Sequence, residues 1–94
     1  MAGNIELRAF MYLAQLFQKR KWPSPLLLEI GGPTTGLELL VRLDISRDSV
    51  EVIFINGKVF PPDDAVIQPG DRVALAPPGV PGPYRALLGF KKLP

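Results

Sequence analysis

Residues 50–60, VEVIFINGKVF, predict the central hairpin of a sheet. The segment from Val50 to Ile55 is the most β-prone stretch of the chain, and it is too apolar for a strand at an exposed edge. Asn56-Gly57 follows it, and this pair is the strongest short hairpin signal because both positions tolerate positive φ. Lys58 to Phe60 is then the return strand, so the stretch predicts a hairpin whose first strand lies inside the sheet.

The rest of the chain supplies three further predicted strands. Ile5 to Met11 alternates apolar residues with polar or small ones and predicts a half-buried first strand. The next residues, Tyr12 to Phe17, either extend that strand or form a helical turn. Leu26 to Ile30 predicts the second strand, antiparallel to the first, and Arg72 to Ala76 predicts the last. Ala65 to Pro69 is predicted as a loop or a single turn.

One segment has the pattern of a helix. Thr35 and Glu38 have the spacing of a capping box, in which each side chain bonds to the other residue's backbone N–H. Apolar residues follow at helical spacing, so we expect an amphipathic helix over about residues 36–43. The order strand, strand, helix, strand, short strand, strand predicts an α+β domain with one helix across one face of a mixed four- to five-stranded sheet.

Size and composition predict one small domain. The chain has 94 residues, of which 47% are hydrophobic, enough for a single core in residues 1–78 with a Pro/Gly-rich extension at 79–94. It has no cysteine and no histidine, which excludes thiol nucleophiles, imidazole bases and disulfides. A net charge of +2 does not indicate nucleic acid binding. With no membrane-length apolar run and no signal-peptide layout, we expect a cytoplasmic protein that binds no membrane.

The remaining candidates for chemistry are better explained as turns. Asp63-Asp64 and the pair Asp44 and Asp48 are the carboxylates available for acid–base catalysis, but aspartates are common turn formers. Gly31-Gly32 precedes the helix as a phosphate-binding loop would, yet Pro33 interrupts its N–H donors. We therefore expect no enzymatic activity, no metal site and no bound cofactor.

Three sequence words together resemble the MoaD/ThiS family of sulfur carriers, which are ubiquitin-like β-grasp proteins. They are Ile55 to Lys58 (INGK), Gly70 to Pro78 (GDRVALAPP) and Thr34 to Leu40 (TTGLELL), and the resemblance covers about residues 4–80. It implies a β-grasp fold and a role in molybdopterin or thiazole synthesis. In the family, an E1-like activating enzyme adenylates the carboxylate of a C-terminal Gly-Gly, which then becomes a thiocarboxylate.

The C-terminal tail departs from the family pattern. The family's PP-x-x-GG end corresponds to Pro77 to Gly82, but Pro81 stands where the penultimate glycine belongs and residues 83–94 follow. Proline fixes φ and has no N–H to donate, so a site built for Gly-Gly should reject it. The family's reactive carboxylate is therefore not carried over to this chain. We interpret Gly79, Val80, Pro81 and Gly82 as the relic of that tail, or as its end after cleavage behind Gly82.

Two uses of the extension remain besides such processing. Tyr84, Arg85, Leu88 and Phe90 form either a segment that binds a partner protein or a strap that covers the protein's own sheet. We expect a non-catalytic protein of molybdopterin or tungstopterin metabolism that binds an activating enzyme, a synthase large subunit or an oxidoreductase. The alternatives are a carrier activated at a processed Gly82, or an interaction module of an oxidoreductase complex without sulfur chemistry.

Overall fold

The computed structural model describes residues 2–79, which form two helices and seven strands. In chain order these elements are β1 (Gly3–Ala9), α1 (Tyr12–Lys19), β2 (Leu26–Ile30), β3 (Thr34–Thr35), α2 (Gly36–Leu43), β4 (Val52–Ile55), β5 (Lys58–Phe60), β6 (Val66–Ile67) and β7 (Arg72–Ala76). A short 3-10 turn, Arg47–Ser49, lies between α2 and β4.

The main sheet has five strands in the order β2-β1-β7-β4-β5. β1 and β7 run parallel, and the other neighbouring pairs, β1 with β2, β4 with β7 and β4 with β5, are antiparallel. β3 and β6 make a separate two-stranded sheet. The predicted α+β, ubiquitin-like β-grasp fold is confirmed, and β4 lies inside the sheet as its apolar sequence predicts.

The first strand is shorter than predicted and is followed by a second helix. β1 ends at Ala9, and Met11 has φ 54°, which an extended strand cannot accommodate. Tyr12 to Phe17, for which the sequence allowed either an extension of the strand or a helical turn, belong to the two-turn helix α1. It forms because Leu13 and Phe17, four residues apart and therefore on one helix face, are both buried in the core.

The segment predicted as a loop before the last strand contains β6 instead. Thr34 pairs with Ile67 and Thr35 pairs with Val66, while Ile67 is fully buried and Val66 is exposed. Two residues give too short an alternation for a strand to be recognised from its pattern. The pairing itself supplies the reason that this segment is extended.

The predicted capping box at the start of α2 is confirmed. The Glu38 N–H donates to the Thr35 Oγ1 at 3.1 Å, and the Thr35 N–H donates to the Glu38 Oε1 at 3.1 Å. The hydrogen bond from the Thr35 backbone, and to a smaller extent the one with its side chain, hold the pKa of Glu38 below its ordinary value. Because the folded pKa is depressed, this contribution to stability is present at neutral pH and is lost as the pH falls through the folded pKa.

Arg20 joins the two helices at their C-terminal ends. Its guanidinium donates to the backbone carbonyls of Leu43 and, at 2.8 Å, Asp44. These carbonyls end α2, where a cation is favoured by the helix dipole. The guanidinium carbon of Arg20 lies 4.9 Å from the centre of the Trp22 ring, and that ring makes an edge contact with Phe17. Arg20 therefore helps to hold the C-terminal ends of α1 and α2 together.

The core lies between the helices and one face of the main sheet. Successive side chains of a strand point to opposite faces of the sheet, so the residues that face the core alternate with residues on the other face. Neither helix of residues 2–79 has the length and hydropathy needed to cross a bilayer. The side chains with no exposed surface include Ile5, Leu7, Leu13, Leu39, Val50, Ile53, Ile67 and Leu75.

Candidate functional site

The tail that the sequence singles out begins directly after β7. Gly79 is described and exposed. Its neighbours in the predicted tail, Val80, Pro81 and Gly82, lie outside the described residues, and so do the predicted docking residues Tyr84, Arg85, Leu88 and Phe90. These assignments therefore stay predictions.

The last described residues form a turn. Pro77 is buried, Pro78 and Gly79 are exposed, and Gly79 has φ 92°. Proline and a glycine at positive φ are both typical turn residues. This φ lies in the left-handed region, which glycine adopts readily.

The face of the main sheet that points away from the helices, here called the outer face, is partly apolar. Val73 and Leu75 of β7 point into the core, so the alternate residues Ala74 and Ala76 lie on the outer face. Ala76 pairs with Val52, Ala74 with Phe54, and Phe54 with Val59 on the next strand. We define the outer patch as Phe10, Val52, Phe54, Val59, Ala74 and Ala76.

Two aromatic rings meet within this patch. Phe10 follows β1 and Phe54 lies on β4, and their ring centres are 5.8 Å apart with the planes at 86°, an edge-to-face contact. β1 and β4 flank β7, so strand spacing alone separates them by about 10 Å. The rings reach each other because the β7 residues between them on this face, Ala74 and Ala76, are small.

Charged side chains border the patch on its β1 side. Arg8 is level with Ala74 and Glu6 is level with Arg72 in the parallel pairing of β1 and β7. The Arg8 guanidinium lies 4.0 Å from the Glu6 carboxylate, and both side chains are about half exposed. An ion pair of this kind contributes little to stability. The border therefore presents charge next to an apolar surface, as the rim of a protein interface does.

The two sequence motifs INGK and GDRV are connected by hydrogen bonds. The Asn56 Nδ2 donates to the Asp71 Oδ1 at 2.9 Å, and the Asn56 Oδ1 accepts from the Arg72 N–H at 2.9 Å. The Asp71 Oδ2 in turn accepts from the Gln68 N–H at 2.8 Å. The hairpin between β4 and β5 is thereby bound to the turn that precedes β7. Asparagine thus has a second role here beside its tolerance of φ 52°.

We expect Asn56 and Asp71 to be energetically coupled. Asn56→Gly removes the side chain while keeping the left-handed backbone, and Asp71→Ala removes its partner. In a double-mutant cycle measured by urea unfolding, the coupling energy should be about 1 kcal/mol, because residues that share a hydrogen-bond network are not additive. Glu29→Ala on β2, three strands and about 14 Å from β4, should add to Asn56→Gly without coupling. Additivity of the Asn56–Asp71 pair as well would contradict the network.

The comparison with protein families agrees with this architecture. A family model described as the ThiS family matches residues 10–82, well over half of the chain. The chain belongs to the ThiS family. ThiS-family proteins are small ubiquitin-like sulfur carriers. The match includes the helix α2, the Asn56-Gly57 hairpin and the Gly70-Asp71 turn. No curated protein and no solved structure matches the chain.

Two of the carboxylates considered for catalysis, Asp63 and Asp44, have structural roles in this ThiS-family protein. The Asp63 Oδ1 accepts from the Arg47 Nε at 2.9 Å, and Asp44 is the left-handed residue, φ 55°, that ends α2. Gly32 lies in a bend and accepts from the Thr34 hydroxyl. Within residues 2–79, no group of three or more His, Cys, Asp or Glu side chains is placed to hold a metal ion.

The outer patch is the feature that sequence reasoning did not assemble. Its members come from four separate segments of the chain, and the two-residue period within one strand shows only that residues such as Ala74 and Ala76 share a face. A signal did exist in β4, where Val52 and Phe54 alternate with the core residues Ile53 and Ile55. A strand in which both the odd-numbered and the even-numbered residues are apolar has two apolar faces, and only one of them is needed for the core.

Proposed function

We propose that this ThiS-family protein is a non-catalytic, cytoplasmic component of molybdopterin or tungstopterin cofactor biosynthesis that acts by binding a protein partner through the outer patch. The partner proposed first is an E1-like activating enzyme, because carriers of this family are handled by such enzymes. A synthase large subunit or an oxidoreductase subunit is the alternative partner, and both are proteins that would contact an apolar surface.

The observation that carries this proposal is the composition of the outer patch. Interfaces are enriched in aromatic side chains at their centre and in charged side chains at their rim. The patch contains the Phe10–Phe54 aromatic pair, and Arg8, Glu6 and Arg72 lie along its β1 side. Phe10 is 37% exposed although it is a large apolar residue. Val52, Phe54, Val59 and Ala74 are partly exposed, whereas Ala76 is buried beneath its neighbours. Adjoining apolar side chains that keep part of their surface exposed are the material of interaction surfaces.

The chemistry of the tail supports binding in preference to sulfur transfer by this chain as written. Pro81 has a fixed φ and no N–H, whereas the activating site of a Gly-Gly carrier needs a slender backbone. Tyr84, Arg85, Leu88 and Phe90 have the apolar and cationic character of a docking segment. We therefore assign the protein a binding role, in which the family's fold is retained without sulfur transfer by this chain.

Binding to the ThiS-type activating enzyme of the same organism tests the proposal. In isothermal titration calorimetry, the full chain should bind, and Phe54→Ser should weaken binding by about 30-fold, the effect of losing an aromatic hot spot of about 2 kcal/mol. Leu27→Ser is the matched control, because Leu27 is 60% exposed on the outer face of β2 but lies outside the patch. Equal affinities for the Phe54 and Leu27 variants, with both folded by circular dichroism, would remove the patch from the interface.

A second function, sulfur carriage from a processed end, is favoured by one observation. The family match ends at residue 82, the glycine that occupies the position of the family's terminal residue. The two functions are separated by the intact mass of the untagged protein purified from its own cells. The same sample is used in the binding experiment. A chain that ends at Gly82 with one carboxylate oxygen replaced by sulfur would establish a carrier. An unprocessed, unmodified chain agrees with the binding role.

A further inference from the structure

The helix α2 has an exposed apolar strip in addition to its buried face. Leu39, Leu40 and Leu43 lie in the core, as an amphipathic helix requires. Leu37 and Val41 are four residues apart, so they are adjacent on the helix surface, and both are exposed. Val41 is 80% exposed, the largest fraction of any large apolar side chain in residues 2–79. Packing within the core therefore does not account for these two residues.

The strip forms one side of a shallow groove, here called the α2 groove. The groove has a volume of about 430 Å³ and is lined by Leu37, Glu38, Val41 and Arg42. Glu38 and Arg42 are also four residues apart, so they form the neighbouring row on the helix surface. One side of the groove is therefore apolar, and the other side carries one charge of each sign.

The two charges of the groove do not pair with each other. Within residues 2–79, the guanidinium of Arg42 makes no ion pair and no hydrogen bond. The Glu38 carboxylate is directed to the N-terminal end of α2, where its Oε1 accepts from the Thr35 N–H. A carboxylate accepts hydrogen bonds at both of its oxygens, so the capping box leaves Glu38 able to receive a further donor. The groove thus offers both an acceptor and a donor of opposite charge.

We propose that the α2 groove binds the α2 groove of a second copy of this chain, with the two helices antiparallel and related by a two-fold axis. With the axis level with Leu40, Glu38 of each copy lies level with Arg42 of the other, so one contact makes two charge-assisted pairs. Val41 of each copy then lies midway between Leu37 and Val41 of the other, about 3 Å along the helix from each. The antiparallel arrangement also places helix ends of opposite partial charge side by side.

A second copy is favoured as the occupant because the groove is complementary to itself. A two-fold interface joins the same surface of both subunits, so that surface must match its own image. A groove with charges of one sign would repel its image, whereas Glu38 and Arg42 exchange places across the axis and attract. The apolar strip likewise meets an apolar strip. No other occupant is needed to match both the charges and the apolar side.

The size of the groove predicts a weak dimer. The helix α2 has eight residues and is therefore about 12 Å long. Two such helices bury less than the roughly 800 Å² per subunit of a standard stable interface. We therefore expect a dissociation constant on the order of 0.1–1 mM.

The dimer leaves the outer patch free. The helix α2 packs against the core side of the main sheet, and the outer patch lies on the opposite face. One dimer therefore presents two outer patches, and a protein with two matching sites would bind both with a gain in avidity. This self-association goes beyond the proposed function and does not depend on it.

Sedimentation equilibrium of the full chain, without any partner protein, tests the dimer. Between about 0.02 and 2 mM, concentrations that span the expected dissociation constant, the average mass should rise from one chain toward two. Val41→Ser should weaken the dimer at least about tenfold, because a symmetric interface contains each substitution twice. Leu27→Ser is the matched control, since Leu27 is an exposed apolar residue on β2, outside the groove. It should leave the dissociation constant unchanged, and circular dichroism should show both variants folded.

The charges of the groove are tested by variants that keep the helix intact. Glutamine serves in a capping box as glutamate does, so Glu38→Gln removes the charge and keeps the cap. Glu38→Gln and Arg42→Gln should each weaken the dimer about fivefold, and the double variant should be about as weak as either alone. Raising the salt concentration to about 0.5 M should weaken the parent dimer more than the Glu38→Gln dimer.

Four outcomes would overturn the proposal. A single-chain mass at every concentration would show that no second copy binds, whatever else covers the groove. Equal weakening by Val41→Ser and Leu27→Ser would place the contact outside α2. Effects of Glu38→Gln and Arg42→Gln that multiply in the double variant would show that these residues do not pair across the axis. Salt sensitivity of the Glu38→Gln dimer equal to that of the parent would do the same.

Discussion

Leu39→Ala is expected to lower the free energy of unfolding by about 2–5 kcal/mol, the range for removing a buried leucine side chain. Leu39 lies on α2 and has no exposed surface, because it packs into the core that the helix forms with the sheet. The cost has two parts, the lost burial of apolar atoms and the cavity that the surrounding side chains cannot fill. A domain of this size has about 5–10 kcal/mol of stability in total. Leu39→Ala therefore removes a large share of it.

Thermal unfolding followed by circular dichroism measures this loss. For a domain of this length, 1 kcal/mol corresponds to a change in Tm of about 4–8 °C, so we expect a fall of at least about 8 °C. Leu37→Ala is the matched control, because Leu37 is on the same helix but is 41% exposed. Both substitutions change helix propensity equally. If the two variants lost equal stability, Leu39 would not be a central core residue.

Gly36→Ala is expected to destabilise the protein, although helix propensity alone predicts the opposite. Alanine is favoured over glycine by about 1 kcal/mol inside a helix, and Gly36 is the first residue of α2. A β-carbon there would lie 2.6 Å from the Pro62 carbonyl oxygen and 2.8 Å from the Ile53 Cδ1. The carbonyl belongs to the backbone and cannot rotate away, while the Gly36 N–H is held by the Ala65 carbonyl at 2.8 Å.

The net effect at Gly36 should therefore be a loss of about 1–3 kcal/mol, as for other overpacked sites, and larger for Gly36→Val. Gly32→Ala is the control, since a β-carbon at Gly32 meets nothing within 4 Å. Urea unfolding should show Gly32→Ala within about 0.5 kcal/mol of the parent chain, like other surface substitutions. A Gly36→Ala variant as stable as the parent would mean that α2 can move away from the loop that contains Pro62.

Part of the candidate site was predictable and part was not. The alternation in Arg72 to Ala76 predicts that Ala74 and Ala76 share a face, and this is confirmed. That Phe10 would join them was not predictable, because only the paired sheet places β1 and β4 on either side of β7. The contact between Phe10 and Phe54 joins positions that are far apart in the chain, and no local pattern contains it. The tail residues Val80 to Gly82 stay predictions.

The sequence by itself determined the local elements of this protein. The capping box at Thr35 and Glu38 and the Asn56-Gly57 hairpin are set by contacts within a few residues, so their sequences suffice to place them. The tertiary structure alone decided that Tyr12 begins a helix, that Val66 and Ile67 form a strand, and that Asn56 and Asp71 share hydrogen bonds. Those outcomes depend on partners distant in the chain, whose burial and hydrogen bonds outweigh weak local preference. The outer patch belongs to this second group, because a sheet face exists only once its strands are paired.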